Sequence, residues 1–125
     1  MTAADTTRIL VQQAADAAAG KGGEDLVAFD VSEPLPLVDA FLLVTGSSER
    51  NVAAIADEVE ERMLEAGQKR LRREGRSEAR WILLDFGDLV VHVFHSEERV
   101  FYGLERLWKD CPIIPVGVSE SASSD

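Results

Sequence analysis

Cysteine and histidine are scarce in this sequence, and their scarcity limits the chemistry available to it. Cys111 is the one cysteine among 125 residues. An internal disulfide is therefore impossible, and a cysteine-based zinc site would need other ligands. The two histidines, His92 and His95, are distant from it in sequence. These counts predict no transition-metal site. We also expect no other metal site, no cofactor and no catalytic residues.

Long apolar runs are also lacking. No run approaches the roughly 20 residues that span a bilayer. The first ten residues, MTAADTTRIL, contain no basic segment followed by an apolar one and a cleavage site, which argues against a secretory signal. We therefore expect no membrane association and a cytoplasmic location.

Basic residues are outnumbered, with 13 Lys and Arg against 23 Asp and Glu, and the net charge is −10. An acidic surface repels phosphate backbones, so it argues against sequence-independent nucleic-acid binding and favours a basic protein partner. Residues 67–80 are the exception, with six basic and two acidic side chains. This segment is a candidate for a minor contact with RNA, although a solvated edge is the commoner interpretation.

Hydrophobic residues make up 46% of the chain, enough for the core of one compact domain. Their periodicity predicts the order α-β-β-α-β-β-β-α, which indicates a mixed α/β fold, a five-stranded mixed sheet with packed helices. Strands are predicted at 25–31, 40–44, within 67–80, and at 81–84 and 89–94. The last two form a β-hairpin, because a four-residue connection with Gly87 separates them.

Three helices accompany the strands. Asp5 is predicted to cap the first, which ends near Ala19, and Ser47 the second, which Gly67 closes. Ser96 is predicted to cap a last helix that begins at Glu97 and carries an apolar face. The second helix has one buried stripe at spacings of three and four, formed by Val52, Ile55, Val59 and Met63.

Asp85-Phe86-Gly87 spells the metal-binding triplet of protein kinases. That triplet works only with a glycine-rich phosphate loop, a strand lysine and a catalytic-loop aspartate, and the sequence has none of these. Asp and Gly are also common turn residues, so the triplet is interpreted as the turn of the hairpin.

Two enzyme arrangements remain to be tested. The segment 46–48 at a helix start, with Asp85 and Asp88, resembles a nucleotidyltransferase site in which backbone N–H groups hold phosphates and carboxylates hold magnesium. A triad of Ser47, His92 and Asp85 is a further combination, although no glycine-serine-glycine elbow is present. A metal-dependent nucleotidyl- or phosphoryl-transfer enzyme is thus the alternative hypothesis.

Two tryptophans are candidates for interface anchors, because large aromatics with one polar tip are favoured there. Trp81 begins its strand beside the basic segment, and Trp108 ends the last predicted helix. Core packing is the competing interpretation for both. His92 shares a strand face with Val90 and Phe94 and is interpreted as a half-buried structural histidine.

A set of short motifs in a fixed order extends over roughly residues 5 to 109. They are Asp39-x-Phe41, Thr45-Gly46-x-Ser48-x-Arg50-x-Val52, Ile55-Ala56-Asp57, Glu74-Gly75, Trp81-x-x-x-Asp85-x-Gly87-Asp88-x-x-x-His92-x-Phe94, and Arg99-x-Phe101-Tyr102-x-Leu104-Glu105-x-Leu107-Trp108. In this combination the chain resembles the ribosomal silencing factor family (RsfS, also called Iojap). One departure is Arg50-Asn51-Val52, where many members have Arg-His-Val.

The resemblance implies a nucleotidyltransferase-like sheet without enzymatic activity, in a single domain at 1–109. A C-terminal extension, 110–125, follows, and its end, SESASSD, is predicted to be disordered because it is small and polar. The resemblance implies a translational repressor that binds a basic protein of the large ribosomal subunit, the fourteenth in that subunit's numbering, and sterically blocks subunit joining. It also implies a homodimer. The expected partner-binding residues are Trp81, Asp88, His92, Glu97, Tyr102 and Glu105.

Overall fold

The computed structural model describes residues 4–35, 37–75, 80–97 and 110–117. Within these ranges two helices pack against one sheet of six strands. In chain order the elements are α1 (Asp5–Gly20), β1 (Glu24–Asp30), β2 (Ala40–Gly46), α2 (Glu49–Glu65), β3 (Arg72–Glu74), β4 (Trp81–Asp85), β5 (Leu89–His95) and β6 (Ile113–Ile114).

The strands lie in the order β3-β4-β5-β2-β1-β6. At the centre, β2 and β5 run parallel, with Ala40 opposite Leu89 and Gly46 opposite His95. The other described pairings, β1–β2, β1–β6, β3–β4 and β4–β5, are antiparallel. The predicted mixed sheet is therefore confirmed. Parallel neighbours require a crossover, and α2 lies in the segment that joins β2 to β5.

The predicted number of five strands is wrong, because β6 adds a sixth at the edge. Ile113 pairs with Phe29 and Ile114 with Ala28, and the amide of Asp30 donates to the carbonyl of Pro112 at 2.8 Å. Proline is tolerated in an edge strand, where one side of the backbone needs no ladder partner. A two-residue strand is too short to show periodicity, so the sequence alone does not predict it.

Both helices cover one face of the sheet. The predicted stripe of α2 is fully buried, and it packs with Val11 and the small side chains of α1 against alternate residues of the central strands, such as Leu42 and Val91. The alanines of α1 allow a close approach to α2 but bury little area each. This layer holds most of the apolar core.

The opposite face carries a second, smaller apolar cluster. Phe29, Val31, Leu43 and Phe94 are buried there, and Phe41 and Trp81 are among the partly buried side chains packed against them. The central strand β2 is thus buried on both faces, as its continuous apolar run predicted. Two of the candidate binding residues, Trp81 and His92, lie on this second face.

Two of the three predicted helix caps, those of α1 and α2, are displaced by one residue. Ala4, not Asp5, is the N-cap of α1, and the helix start is instead tied by Asp39, whose Oδ2 accepts from the amide of Ala4 at 3.1 Å and from Thr7 Oγ1 at 3.0 Å. Sequence reasoning missed this tie because the partner lies far along the chain.

Ser48, not Ser47, caps α2, since its Oγ accepts from the amide of Asn51 at 3.0 Å. Asn51, the departure from the family pattern, connects this helix start to its surroundings. Its Oδ1 accepts from the amide of Ser47 at 2.9 Å, and its Nδ2 donates to the carbonyl of Lys21 at 2.8 Å. The amide side chain therefore has a structural role at this position.

The hairpin between β4 and β5 is confirmed. Asp85 Oδ1 accepts from the amide of Gly87 at 2.9 Å, Gly87 has a φ of 95°, and the amide of Phe86 donates to the carbonyl of Leu89 at 2.9 Å. These are the contacts of a tight turn, in which glycine supplies the left-handed conformation. The kinase-like triplet thus shapes the connection.

The predicted last helix lies largely outside the described residues. Ser96 and Glu97 are described as helical, but the remainder of the predicted last helix, including Tyr102, Glu105 and Trp108, falls in 98–109. The division of the chain at residue 109 and the likeness to nucleotidyltransferases stay predictions. In the described part of the chain, neither helix has the length and apolar character needed to cross a membrane.

Candidate partner-binding surface

Trp81 lies at the start of β4, where the chain turns back from β3. Gly75, at the end of β3, has a φ of 83°, and a Cβ placed on it would collide with the carbonyl oxygen of Trp81. Only glycine combines this conformation with so close a backbone approach. The Glu74-Gly75 motif therefore determines where the backbone of Trp81 lies.

Trp81 is half-buried and stands at the edge of an aromatic cluster. Its ring stacks on Phe94 at 5.2 Å between centroids and lies 6.0 Å from the ring of His92. His92 in turn contacts Phe41 edge-on at 5.0 Å and lies parallel to Phe94 at 6.0 Å. Such pairs stabilise by about 0.5–1.5 kcal/mol each beyond burial of their area. The cluster gives Trp81 a rigid base.

His92 is more deeply buried than expected, at 5% exposure. Its Nδ1 accepts the indole N–H of Trp81 at 3.2 Å, which places the proton of the neutral ring on Nε2. Among the described residues Nε2 has no hydrogen-bond partner. Desolvation lowers the pKa of His92 from 6.5 to about 4, so the imidazole is neutral at pH 7. The histidine thus lies beneath Trp81 and is largely screened from solvent.

A recess of about 230 Å³ lies beside Trp81 and is lined by Glu74, Gly75, Trp81 and Leu83. Its wall combines an indole, an aliphatic side chain and a carboxylate. Glu74 is 58% exposed and lies 3.5 Å from Arg72, so its charge is only partly compensated. This combination suits a long cationic side chain, which has an apolar stem and a charged tip.

Glu97 pairs with Arg80, the residue that precedes Trp81 in the chain. The guanidinium of Arg80 donates to Glu97 Oε1 at 2.9 Å and to Glu49 Oε2 at 3.0 Å, and its carbonyl accepts from the amide of His95. Glu97 remains 75% exposed. An exposed ion pair of this kind is worth little to stability, so Glu97 is able to exchange Arg80 for a cation of a partner.

Asp88 lies away from Trp81, His92 and Glu97. It is exposed in the hairpin turn, and its carbonyl accepts from the amides of Asp39 and Ala40. The turn lies before Leu89, whereas Glu97 follows His95 at the other end of β5. Six residue steps along a strand separate these ends by about 20 Å. The structure therefore brings Trp81 and His92 into contact, ties Glu97 to Arg80, the residue before Trp81, and leaves Asp88 at the other end of β5.

Sequence reasoning missed Phe41, Gly75 and Arg80 as parts of this surface. Phe41 supports His92 across the parallel β2–β5 register, in which Leu43 lies opposite His92. That register is a tertiary property without a local signal. Gly75 had a signal, since an isolated Glu-Gly pair before a strand indicates a close backbone approach.

The basic segment is largely neutralised where the structure describes it. Arg73 donates to Asp57 Oδ1 at 3.0 Å and to Glu60 Oε1 at 2.9 Å, and Arg70 lies 3.0 Å from Glu60. Arg72 lies near Glu74 and near Asp85 at 3.8 Å. These cations tie β3 to α2 and to the hairpin, so they present less free charge than the sequence indicates.

The geometry opposes both enzyme arrangements. The segment 46–48 follows the C-terminal end of β2, whereas Asp85 and Asp88 flank the turn at the other end of the sheet, since Ala40 pairs with Leu89. About 20 Å therefore separate a phosphate held at the helix start from these carboxylates. The same separation divides Ser47 from Asp85. No group of three or more His, Cys, Asp or Glu within the described ranges could hold a metal ion.

The fold and this surface define a mixed α/β domain with an aromatic cluster under a half-exposed tryptophan. The chain matches the family described as "Ribosomal silencing factor during starvation", RsfS, over residues 4–125. A relative from Halalkalibacterium halodurans, named ribosomal silencing factor RsfS, is 44% identical over 105 residues, which cover 84% of this chain and 90% of the relative.

Two crystal structures share the fold. One, from Bacillus halodurans, is 41% identical with a TM-score of 0.77 and is matched over 87% of this chain and 99% of that one. The other, from Chromobacterium violaceum, is 32% identical with a TM-score of 0.80, over 90% of this chain and 95% of that one. The chain therefore belongs to the ribosomal silencing factor family, RsfS, as the resemblance predicted.

Proposed function

We propose that this protein is a translational repressor that binds the large ribosomal subunit and sterically blocks joining of the small subunit. Family membership supports the regulatory class. The proposal depends on one geometric observation: the indole of Trp81 is half-exposed, rests on a rigid aromatic cluster and lies beside an acidic recess. Tryptophans in such settings are favoured anchors of protein interfaces. Repression by occlusion requires no covalent chemistry.

The proposed partner is the basic ribosomal protein that is fourteenth in the numbering of that subunit. A net charge of −10 favours encounter with a basic surface and raises the association rate more than the affinity. Trp81 is the central anchor, and Glu97 and Glu74 meet cations of the partner at the rim. Tyr102 and Glu105, which lie outside the described residues, are proposed from their motif, and Asp88 is proposed for a separate contact at the hairpin end.

Co-sedimentation with purified large subunits at several salt concentrations tests the proposal, and light scattering during mixing with small subunits tests the block of joining. Wild type is expected to pellet at low salt and to slow association. Trp81→Ala is expected to weaken binding by roughly 30-fold or more, the effect of losing one hot-spot residue. Leu64→Ala is the matched control, since Leu64 is 62% exposed on α2, across the sheet from Trp81.

Wild-type protein that stays in the supernatant at low salt would contradict the proposal. Equal losses for Trp81→Ala and Leu64→Ala would contradict the anchor role alone. A thermal-shift assay with magnesium and a nucleotide addresses the enzyme hypothesis, because a ligand bound only by the folded state raises the melting temperature. We expect no shift.

Two carboxylates that share Arg80 provide an internal comparison of charge. Glu97→Gln and Glu49→Gln remove the same charge and the same ion-pair partner. Only Glu97 is proposed to meet the partner, so Glu97→Gln is expected to lower the association rate more, with a difference that shrinks as salt rises. Equal association rates for the two variants would show that Glu97 does not meet the partner.

Two further properties are proposed, one from the family resemblance and one from the charge of residues 67–80. The family resemblance favours a homodimer, which sedimentation velocity over a concentration series tests. A minor contact of residues 67–80 with ribosomal RNA is proposed through the charge that remains after the pairing of Arg70, Arg72 and Arg73. Lys69→Gln is expected to change the salt dependence of large-subunit binding only slightly.

A further inference from the structure

We propose that His92 is a positioning residue for the partner-binding surface: its buried imidazole accepts the indole N–H of Trp81 and holds the ring in the orientation that meets the partner. The contact joins Trp81 Nε1 and His92 Nδ1 at 3.2 Å. The inference rests on the proposed function, because it assumes that Trp81 is the anchor.

The acceptor is held in place from several sides. His92 is the central residue of β5 and lies opposite Leu43 of β2 and Leu83 of β4. Its ring is fixed edge-on by Phe41 and parallel to Phe94, and it is 5% exposed. Trp81, in contrast, is only half-buried and sits at the beginning of its strand. A fixed acceptor therefore adds a directional restraint on the indole to the stacking of Trp81 on Phe94.

The imidazole also has the chemical state that this role requires. An indole nitrogen is a donor only, so Nδ1 must carry a lone pair. Burial lowers the pKa of His92 to about 4, which keeps the ring neutral and Nδ1 able to accept at pH 7. Because Nε2 has no hydrogen-bond partner among the described residues, the bond at Nδ1 is the polar contact by which this histidine acts.

The expected gain is one of preorganisation. Immobilising a side chain before binding removes an entropic cost that the complex would otherwise carry. For one restrained side chain this amounts to about three- to tenfold in affinity. His92 thus contributes to binding without contact with the partner, whereas a residue that only stabilises the core would act on the folded fraction alone.

A double-mutant cycle tests the inference. His92→Leu removes the acceptor, and His92→Asn retains one near the position of Nδ1. Affinity for large subunits is measured for each in the wild-type background and with Trp81→Phe, which keeps a ring but lacks the N–H. We expect His92→Leu to weaken binding about three- to tenfold, His92→Asn to restore most of it, and the effect of His92→Leu to fall below about twofold in the Trp81→Phe background.

Val91→Ala is the matched control for lost stability. Val91 is the fully buried neighbour on the helix-covered face of the same strand and does not belong to the aromatic cluster. At equal folded fraction its affinity is expected to equal that of wild type. An equal loss from His92→Leu in both backgrounds, or no loss in either, would overturn the inference.

Nitrogen-15 NMR of the free wild-type protein provides a second test that needs neither a ribosome nor a destabilised variant. We expect His92 to carry its proton on Nε2 at pH 7, and the indole N–H of Trp81, assigned with Trp81→Phe, to be protected from exchange. A proton on Nδ1, or a rapidly exchanging indole, would overturn the inference. Failure of wild type to bind large subunits would instead overturn the proposed function and, with it, the anchor role on which this inference rests.

Discussion

Replacement of Gly75 by alanine is expected to destabilise the protein and displace Trp81. Gly75 has a φ of 83°, and its new Cβ would collide with the Trp81 carbonyl oxygen, a backbone atom that cannot rotate away. The positive φ costs an L-residue about 1–2 kcal/mol, and the forced shift adds about 1–3 kcal/mol. The free energy of unfolding should therefore fall by about 2–5 kcal/mol.

Replacement of Gly67 by alanine measures the cost of the positive φ without the cost of the collision. Gly67 has nearly the same φ, 86°, but a Cβ there would meet nothing within 4 Å. Gly67→Ala should therefore lose only the conformational part, about 1–2 kcal/mol. Urea unfolding measures both variants, and co-sedimentation with large subunits at equal folded fraction should show weaker binding for Gly75→Ala alone. Equal losses of unfolding free energy in the two variants would refute the argument that the close approach of the Trp81 backbone requires glycine at position 75.

Three other predictions concern stability. The pKa of His92 is about 4 in the folded protein and 6.5 in the unfolded chain, so the unfolded chain binds this proton first as the pH falls. The contribution of the neutral imidazole to the free energy of unfolding is therefore present above about pH 6.5 and is lost towards pH 4. About 2 kcal/mol of it is gone by pH 5. Urea unfolding of wild type and His92→Asn at pH 7 and pH 5 should show their difference narrow by that amount, and a constant difference would contradict it. Ser48→Ala should cost about 1 kcal/mol because it removes the cap of α2, whereas Ser47→Ala should stay within about 0.5 kcal/mol in the same assay. Asp39→Ala should cost about 1–3 kcal/mol and speed hydrogen exchange in the first turn of α1, since two donors lose their acceptor; unchanged exchange there would show that the tie is not needed.

Most of the layered fold was predictable from local patterns. The stripe of α2, the two-sided burial of β2 and the turn at Gly87 each follow from spacing or from residue type, and each is confirmed. The cap of α2 was wrong by one residue because Ser47 and Ser48 are neighbours of the same type, and that of α1 because Asp39, far along the chain, supplies the acceptor in place of a local side chain. The sixth strand was missed because two residues show no period, and the tie of Asp39 to α1 because it connects distant parts of the chain.

The sequence indicated the proposed anchor, Trp81, but not the side chains that the structure places around it. Trp81 and Glu97 could be selected from residue type and motif, but the sequence did not indicate that His92 lies beneath the indole or that Asp88 stands about 20 Å away. Both facts depend on strand register. Register is decided by pairing across the whole sheet, which a single sequence does not display locally.

The parallel pairing of β2 with β5 also governs how the chain acquires its structure during synthesis. β1 and β2 adjoin one another along the chain and can pair early, whereas the other side of β2 must wait until β5 has been made. Until then an apolar strand presents unpaired amides and carbonyls, which is the form most liable to associate with other chains. We therefore expect a nascent chain halted before β5 to expose this edge of β2, and the centre of the sheet to close only after β5 has been made.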